Sequence, residues 1–180
     1  MKGSFEVGSV EETWEVARRL AADLGPGSVV CLEGDLGAGK TTFVQGLAAA
    51  LGVPGRVTSP TFCLVQEHGA EGGPFLVHMD LYRLSSEDDV LAIGWEDFLL
   101  RGAILAVEWP ERAGDLVPSD ATHVSFVRLD GEESRRITIS RATHSTTRWR
   151  RCWKSTRWAS TRSSARSPAG ARCRLSGFWC

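Results

Sequence analysis

Gly34-Asp35-Leu36-Gly37-Ala38-Gly39-Lys40-Thr41 matches the pattern G-x-x-x-x-G-K-[ST] at every defined position. The chemistry needs these residue types in this order. Glycines let the backbone curl until several N–H groups point inward, where phosphate oxygens can accept from them. Lys40 can then reach the terminal phosphates as a point charge, and the Thr41 hydroxyl can ligate Mg²⁺. Just before the loop, Val29-Val30-Cys31-Leu32 is a short continuous apolar run of the kind that forms a buried parallel strand. Just after it, Thr41 to Leu51 reads as a helix with Val44, Leu47, Ala48 and Leu51 inward and Gly52 as its stop. A helix that starts at the loop turns the positive end of its dipole toward the anion. The competing reading is a glycine-rich turn with a surface lysine, and the strand and helix on either side argue against it.

A phosphate loop needs an acidic partner for Mg²⁺ at the end of a neighbouring strand. Ile104-Leu105-Ala106-Val107-Glu108 has the right form, four apolar residues closed by a carboxylate. Trp109-Pro110 then leaves the strand abruptly, which places Glu108 at its end. Asp80 closes a second apolar run, in His78-Met79-Asp80-Leu81-Tyr82-Arg83. It either orients an attacking water or a metal-bound water, or simply begins a helix. Arg83 can steady transferring phosphate charge or pair with a carboxylate. His78 alternates with apolar neighbours and reads as structural. Thr58-Ser59-Pro60-Thr61-Phe62 is a hydroxyl-rich turn where a switch could approach the γ-phosphate, although Ser-Pro also starts ordinary turns.

The remaining elements follow from periodicity. A helix is expected from Val10 to Leu24, with capping-box spacing at Ser9 and Glu12 and an apolar face of Trp14, Ala17, Leu20, Ala21 and Leu24. Strands over Phe62–Glu67 and Phe75–Met79 flank a glycine-rich turn and predict an antiparallel pair. Ser86 to Arg101 is mainly helical, weakened at Gly94. Ala103–Val107 is a second continuous strand, and His123–Leu129 with Arg135–Ile139 flank Asp130-Gly131, a hairpin signal. The expected fold class is α/β: a P-loop NTPase-like three-layer fold with a central, mostly parallel sheet and an antiparallel hairpin portion.

Charge divides the chain. Residues 141–180 hold nine Arg, one Lys and no acid, so positions 1–140 keep 11 basic residues against all 22 acidic ones. The body is thus at −11 and the tail at +10. A body that acidic is poorly suited to gripping nucleic acid without sequence readout. The expected division is a P-loop ATPase domain over 1–140 and a basic, irregular tail over 141–180. Four of the seven Trp fall in the tail beside almost no Leu, Val or Ile, so it cannot bury enough aliphatic surface to offset its ordering entropy. It is either a basic aromatic arm for nucleic acid or the product of a shifted reading frame after about Ser140, and the second reading is preferred. Met1 to Glu12 is polar and acidic, unlike a signal or transit peptide, and no apolar run nears the roughly 20 residues of a membrane span. Cys31 and Cys63 lie in apolar runs and read as buried thiols, with no CxxC spacing for zinc. A reducing, cytoplasmic setting without membrane association is expected.

GDLGAGKTT at Gly34–Thr42, TSPTF at Thr58–Phe62, HMDLYRL at His78–Leu84 and VEWPER at Val107–Arg112 occur in this order and spacing. Together, over about Glu11 to Ser140, they resemble the TsaE/YjeE family of bacterial tRNA-modification ATPases. The resemblance implies an Mg²⁺-dependent ATPase that works with TsaB and TsaD, the partners that place a threonylcarbamoyl group on adenosine 37 of ANN-decoding tRNAs. It assigns ATP binding to Gly37, Ala38, Gly39, Lys40, Thr41 and Thr42, metal binding to Thr41 and Glu108, and hydrolysis or nucleotide contact to Asp80. Thr13 matches a position that approaches the adenine, Glu111 and Arg135 match further nucleotide contacts, and Trp109 lies beside the nucleotide or a partner surface. tRNA would be met indirectly, through the complex. The tail departs from the family pattern.

Two other functions fit the bare loop. A small-molecule kinase would need an acceptor pocket and usually an Arg-bearing lid; no lid segment stands out, though Arg83, Arg101 and Arg112 are available. A nucleotide-sensing binding module would hydrolyse little and switch partners. No N-K-x-D guanine signature occurs, which disfavours a GTPase.

Overall fold

The computed structural model describes residues 1–60, 63–69, 75–130 and 134–141, all within one unit spanning Met1–Thr147. In chain order the elements are β1 (Gly3–Val7), α1 (Val10–Ala21), β2 (Val29–Glu33), α2 (Lys40–Ala50), β3 (Val65–Gly69), β4 (Phe75–Asp80), α3 (Glu87–Ala92), α4 (Trp95–Leu100), β5 (Ile104–Glu108), β6 (Thr122–Arg128) and β7 (Arg135–Arg141). One seven-stranded sheet runs β1-β7-β6-β2-β5-β4-β3. Its four middle strands, β6, β2, β5 and β4, are mutually parallel, and the antiparallel pairs lie toward the two edges.

Alternation along the parallel strands builds two cores. Val30 and Leu32 of β2, with Leu76 of β4 and Ala106 of β5, pack with Leu20 of α1 and Phe43, Val44 and Leu47 of α2. Val29 and Cys31, with Val77, Met79, Leu105 and Val107, pack with Val90 of α3 and Trp95 and Phe98 of α4. Both faces of the middle strands are therefore covered, which is why their sequences read as unbroken apolar runs. Helix layer, sheet and helix layer form a P-loop NTPase-like α/β fold with a central, mostly parallel sheet and an antiparallel β6–β7 hairpin portion.

Several local expectations change. Helix α1 ends at Ala21 rather than Leu24, and Trp14 is 41% exposed while Thr13 and Val16 are buried. Gly46 of α2, with no Cβ, lets both the Trp14 backbone and the edge of its ring come close to α2. The Glu12 side chain caps the Gly8 N–H at 2.6 Å rather than that of Ser9, one residue earlier than a standard capping box. Strand β3 starts at Val65 because the Pro60 carbonyl accepts from both Cys63 and Leu64 N–H groups, and Leu64 takes φ 64°, closing a tight turn. That turn also exposes Cys63, which was expected to be buried. The helix expected over Ser86–Arg101 is two short helices, broken where Gly94 adopts φ 94°. Ser86 and Asp89 form a full capping box at the first of them. Strand β1 was not anticipated from the sequence; it forms because β7 offers an edge for antiparallel pairing. The tail beyond position 141, and Thr61 and Phe62, lie outside the described residues.

Candidate functional site

The candidate site is built where the middle strands end. The parallel arrangement of β2, β4 and β5 brings their carboxyl ends together, the usual location of a ligand crevice in an open α/β sheet. From β2 the chain enters the Gly34–Gly39 loop and turns at once into α2. Gly39 caps that helix with φ 105°, and a Cβ there would run into the Arg135 guanidinium. A Cβ on Gly34 would meet the Phe126 carbonyl at 2.7 Å. The loop thus needs its glycines both to curl and to fit under the β6–β7 hairpin. The first turn of any helix leaves N–H groups without intrahelical acceptors, and at α2 no side chain at the Gly39 cap accepts from them.

Lys40 is buried, with its Nζ donating to the carbonyls of Gly34 (2.8 Å) and Asp35 (3.1 Å). Its ammonium also stands 3.6 Å from Oε2 of Glu108, at the end of β5. Asp80 ends β4 as the register partner of Glu108. Its Oδ1 accepts from the Tyr82 N–H at 3.1 Å, and the Leu81 N–H donates to the Glu108 carbonyl at 3.1 Å. Residues 76, 78 and 80 and residues 104, 106 and 108 share the face of the sheet that α2 covers, so both carboxylates reach the Lys40 side. Both are buried.

The loop, Lys40, Asp80 and Glu108 are therefore brought together as expected, and Thr41 and Thr42 stand half-buried on the first turn of α2. Arg135 comes from the other edge of the sheet to lie against Gly39. Thr13 is buried on α1 with its hydroxyl engaged by the Ser9 carbonyl at 2.9 Å, and is not joined to this cluster. Glu111 is exposed in a 3₁₀ turn over Pro110–Arg112, and Arg83 is exposed after β4. The Thr58 hydroxyl donates to Gln66 at 3.0 Å, tying its loop to β3. Trp109 takes the left-handed conformation (φ 59°), so the chain turns sharply beside Glu108. Its ring lies 4.9 Å from that of Tyr82.

Two further residues escaped the sequence reading. Arg128 ends β6 and donates to the Gly37 carbonyl at 2.8 Å, so the loop is held from outside by the hairpin. Arg128 and Arg135 are register partners, a relation that the hairpin reading with the G-x-x-x-x-G-K-T loop could have suggested only once β6 was known to pair with β2. His78 was read as structural, yet its Nε2 lies 3.0 Å from Glu108 Oε1. The period of two along β4, which puts His78 on the face of Asp80, was the available signal.

The donor set suits hard ligands. The Glu108 carboxylate and the Thr41 hydroxyl are the oxygen chemistry that Mg²⁺ selects, and a curled glycine backbone with a buried ammonium is the chemistry that a polyphosphate selects.

A glycine loop between a buried strand and a helix, with a lysine facing a strand-end carboxylate, defines a phosphate-loop protein of the α/β class. A family model described as "Threonylcarbamoyl adenosine biosynthesis protein TsaE" matches residues 7–137. The chain belongs to the TsaE family. It is 38% identical over 130 residues to the Bacillus subtilis tRNA threonylcarbamoyladenosine biosynthesis protein TsaE, covering 72% of this chain and 80% of that one. The Streptomyces coelicolor protein of the same name is 42% identical, with 70% and 88% covered. The crystal structure of Bacillus subtilis YdiB superposes with a TM-score of 0.62 at 34% identity, covering 79% of this chain and 86% of that one. Among the described residues no helix is long and apolar enough to cross a membrane.

Proposed function

We propose that this chain is an Mg²⁺-dependent ATPase that acts with TsaB and TsaD in threonylcarbamoyladenosine modification of adenosine 37 in ANN-decoding tRNAs, in the cytoplasm. The observation that carries the ATPase reading is the convergence of Lys40, Asp80 and Glu108 at the mouth of one glycine loop. Relatives named for tRNA threonylcarbamoyladenosine biosynthesis support the pathway.

In this reading Gly37 to Thr42 hold the phosphates of ATP, with the Ala38 N–H leaving the Asp35 carbonyl, and the Lys40 ammonium leaving those of Gly34 and Asp35, to which they now donate. Thr41 and Glu108 would hold Mg²⁺, which would supply charge neutralisation for the phosphates. Asp80, fixed by the Tyr82 N–H, orients the attacking water and accepts its proton at a carboxylate oxygen. Arg135, against Gly39, steadies negative charge on the leaving side. Chemistry of this kind is mainly positioning and electrostatics, because phosphoryl transfer asks for little else. The acidic body leaves the tRNA to the partners.

The test is phosphate release from ATP with no acceptor added, with and without TsaB and TsaD. Release that rises with the pair and vanishes in Lys40→Ala supports the proposal. Release that needs a metabolite acceptor would make the protein a kinase. ATP binding without release under any condition would make it a nucleotide-sensing module.

A further inference from the structure

His78 is fully buried in the middle of β4, between Val77 and Met79 and opposite Ala106. An imidazole in such surroundings costs free energy unless its nitrogens find partners. Nε2 lies 3.0 Å from Oε1 of Glu108, while Nδ1 is buried and finds no partner among the described residues. A histidine kept for packing would ordinarily satisfy both nitrogens on nearby backbone or side chains. This one has no Nδ1 partner among the described residues and directs Nε2 at the carboxylate that faces Lys40.

The two oxygens of Glu108 are thereby separated in role. Oε1 is bound from within the sheet by His78, and Oε2 lies 3.6 Å from Lys40 Nζ on the side of the loop. A carboxylate only accepts, so the proton in the first bond sits on Nε2. With Oε1 anchored, rotation about the Glu108 side chain is blocked and Oε2 is kept toward the loop. Glutamate has three side-chain torsions, and without such an anchor it would sample several orientations at a strand end.

We propose that His78 is the positioning residue of the metal carboxylate: its Nε2–H holds Glu108 with Oε2 turned toward Lys40 and the loop, so that this carboxylate is in place where Mg²⁺ would be held. This rests on the nucleotide reading above and adds a residue to it. Partners behind a metal ligand commonly change metal affinity about 10- to 100-fold when removed.

The test uses the full chain with Mn²⁺ as the probe, titrated by electron paramagnetic resonance in the presence of a non-hydrolysable ATP analogue. Affinity for the analogue alone is measured in parallel with chelator present. His78→Leu should weaken Mn²⁺ binding about 10-fold or more, with metal-free analogue affinity unchanged. His78→Gln, whose amide N–H can reach the same oxygen, should recover most of the loss. A long-range ¹⁵N spectrum of the parent protein should show His78 protonated at Nε2, a readout that needs no variant to fold. The proposal is overturned if His78→Leu binds Mn²⁺ like the parent, if metal-free analogue affinity falls equally, if His78→Gln is no better than His78→Leu, or if Nε2 is bare. A parent chain that binds neither analogue nor Mn²⁺ overturns the nucleotide reading itself, and is told apart because the failure appears before any substitution.

Discussion

Asp80 and Glu108 stand side by side as register partners at the carboxyl ends of β4 and β5, and the backbone N–H of Leu81 ties the two strand ends together by donating to the Glu108 carbonyl at 3.1 Å. Their proximity is a product of parallel pairing: strands running the same way end at the same edge, and residues in register there share a face. Two buried acids beside one buried lysine form an arrangement whose members can be separated by experiment.

Glu108→Gln keeps the shape and the His78 contact but removes the charge opposite Lys40. Mg²⁺-dependent phosphate release should fall on the order of 100-fold, as when a single electrostatic group is lost from a pre-organised site. Nucleotide binding in the presence of chelator should be retained. Calorimetry with and without Mg²⁺ checks this, and equal Mg²⁺ dependence in parent and variant would remove Glu108 as a metal ligand.

Asp80→Asn tests the other acid. The amide oxygen can still accept from Tyr82 N–H, so the local turn should survive. Loss of a positioned proton acceptor costs about 10²- to 10⁴-fold in the chemical step. Single-turnover hydrolysis should therefore drop while Mn²⁺ and nucleotide affinities stay near those of the parent. A drop confined to metal affinity would instead make Asp80 a ligand.

Gly46→Ala tests the helix layer. The added Cβ would lie 2.9 Å from the Trp14 Cα and 3.0 Å from the Ala17 Cβ, against backbone that cannot swing aside. Overpacking of this kind costs about 1–3 kcal/mol. Urea unfolding should show the midpoint falling with little change in slope. An unchanged midpoint would mean that α1 and α2 pack less closely than described.

Cys31 gives a prediction for pH. Burial, aided by the nearby Glu33 charge, pushes its thiol up to about 12. A folded pKa raised above the unfolded value stabilises the fold fully below the unfolded pKa, near 8.5. That stability is lost as pH rises toward about 12. Unfolding at pH 8 and pH 10 should differ more in the parent than in Cys31→Ala. At pH 8 iodoacetamide should label exposed Cys63 in the native protein and Cys31 only after unfolding, as peptide mass mapping can show. Rapid native labelling of Cys31 would contradict its burial.

The loop and the fold class were legible because they are local. Gly34 to Thr41, the run before it and the helix after it are contiguous, and each announces itself by residue type and period. Glu108 was legible for the same reason, as a carboxylate closing an apolar strand. The break at Gly94 was visible as a weakness but not as a full stop, since glycine in a helix is only a modest penalty until tertiary packing holds it at positive φ. Cys63 was misjudged because an apolar neighbourhood in sequence says nothing about a turn that projects it into solvent.

What the sequence by itself determined is the glycine loop between a buried strand and a helix, the three-layer α/β class and the presence of carboxylates at strand ends. Only the tertiary structure decided which groups touch. Strand order brought Glu108 within 3.6 Å of Lys40, set Arg135 against Gly39, and turned His78 from a buried spacer into the partner of a carboxylate thirty residues away. The physical reason is that hydrophobic periodicity records which face of a strand is buried, whereas the choice of neighbouring strand depends on hydrogen bonding between distant segments, which leaves no mark on either segment alone.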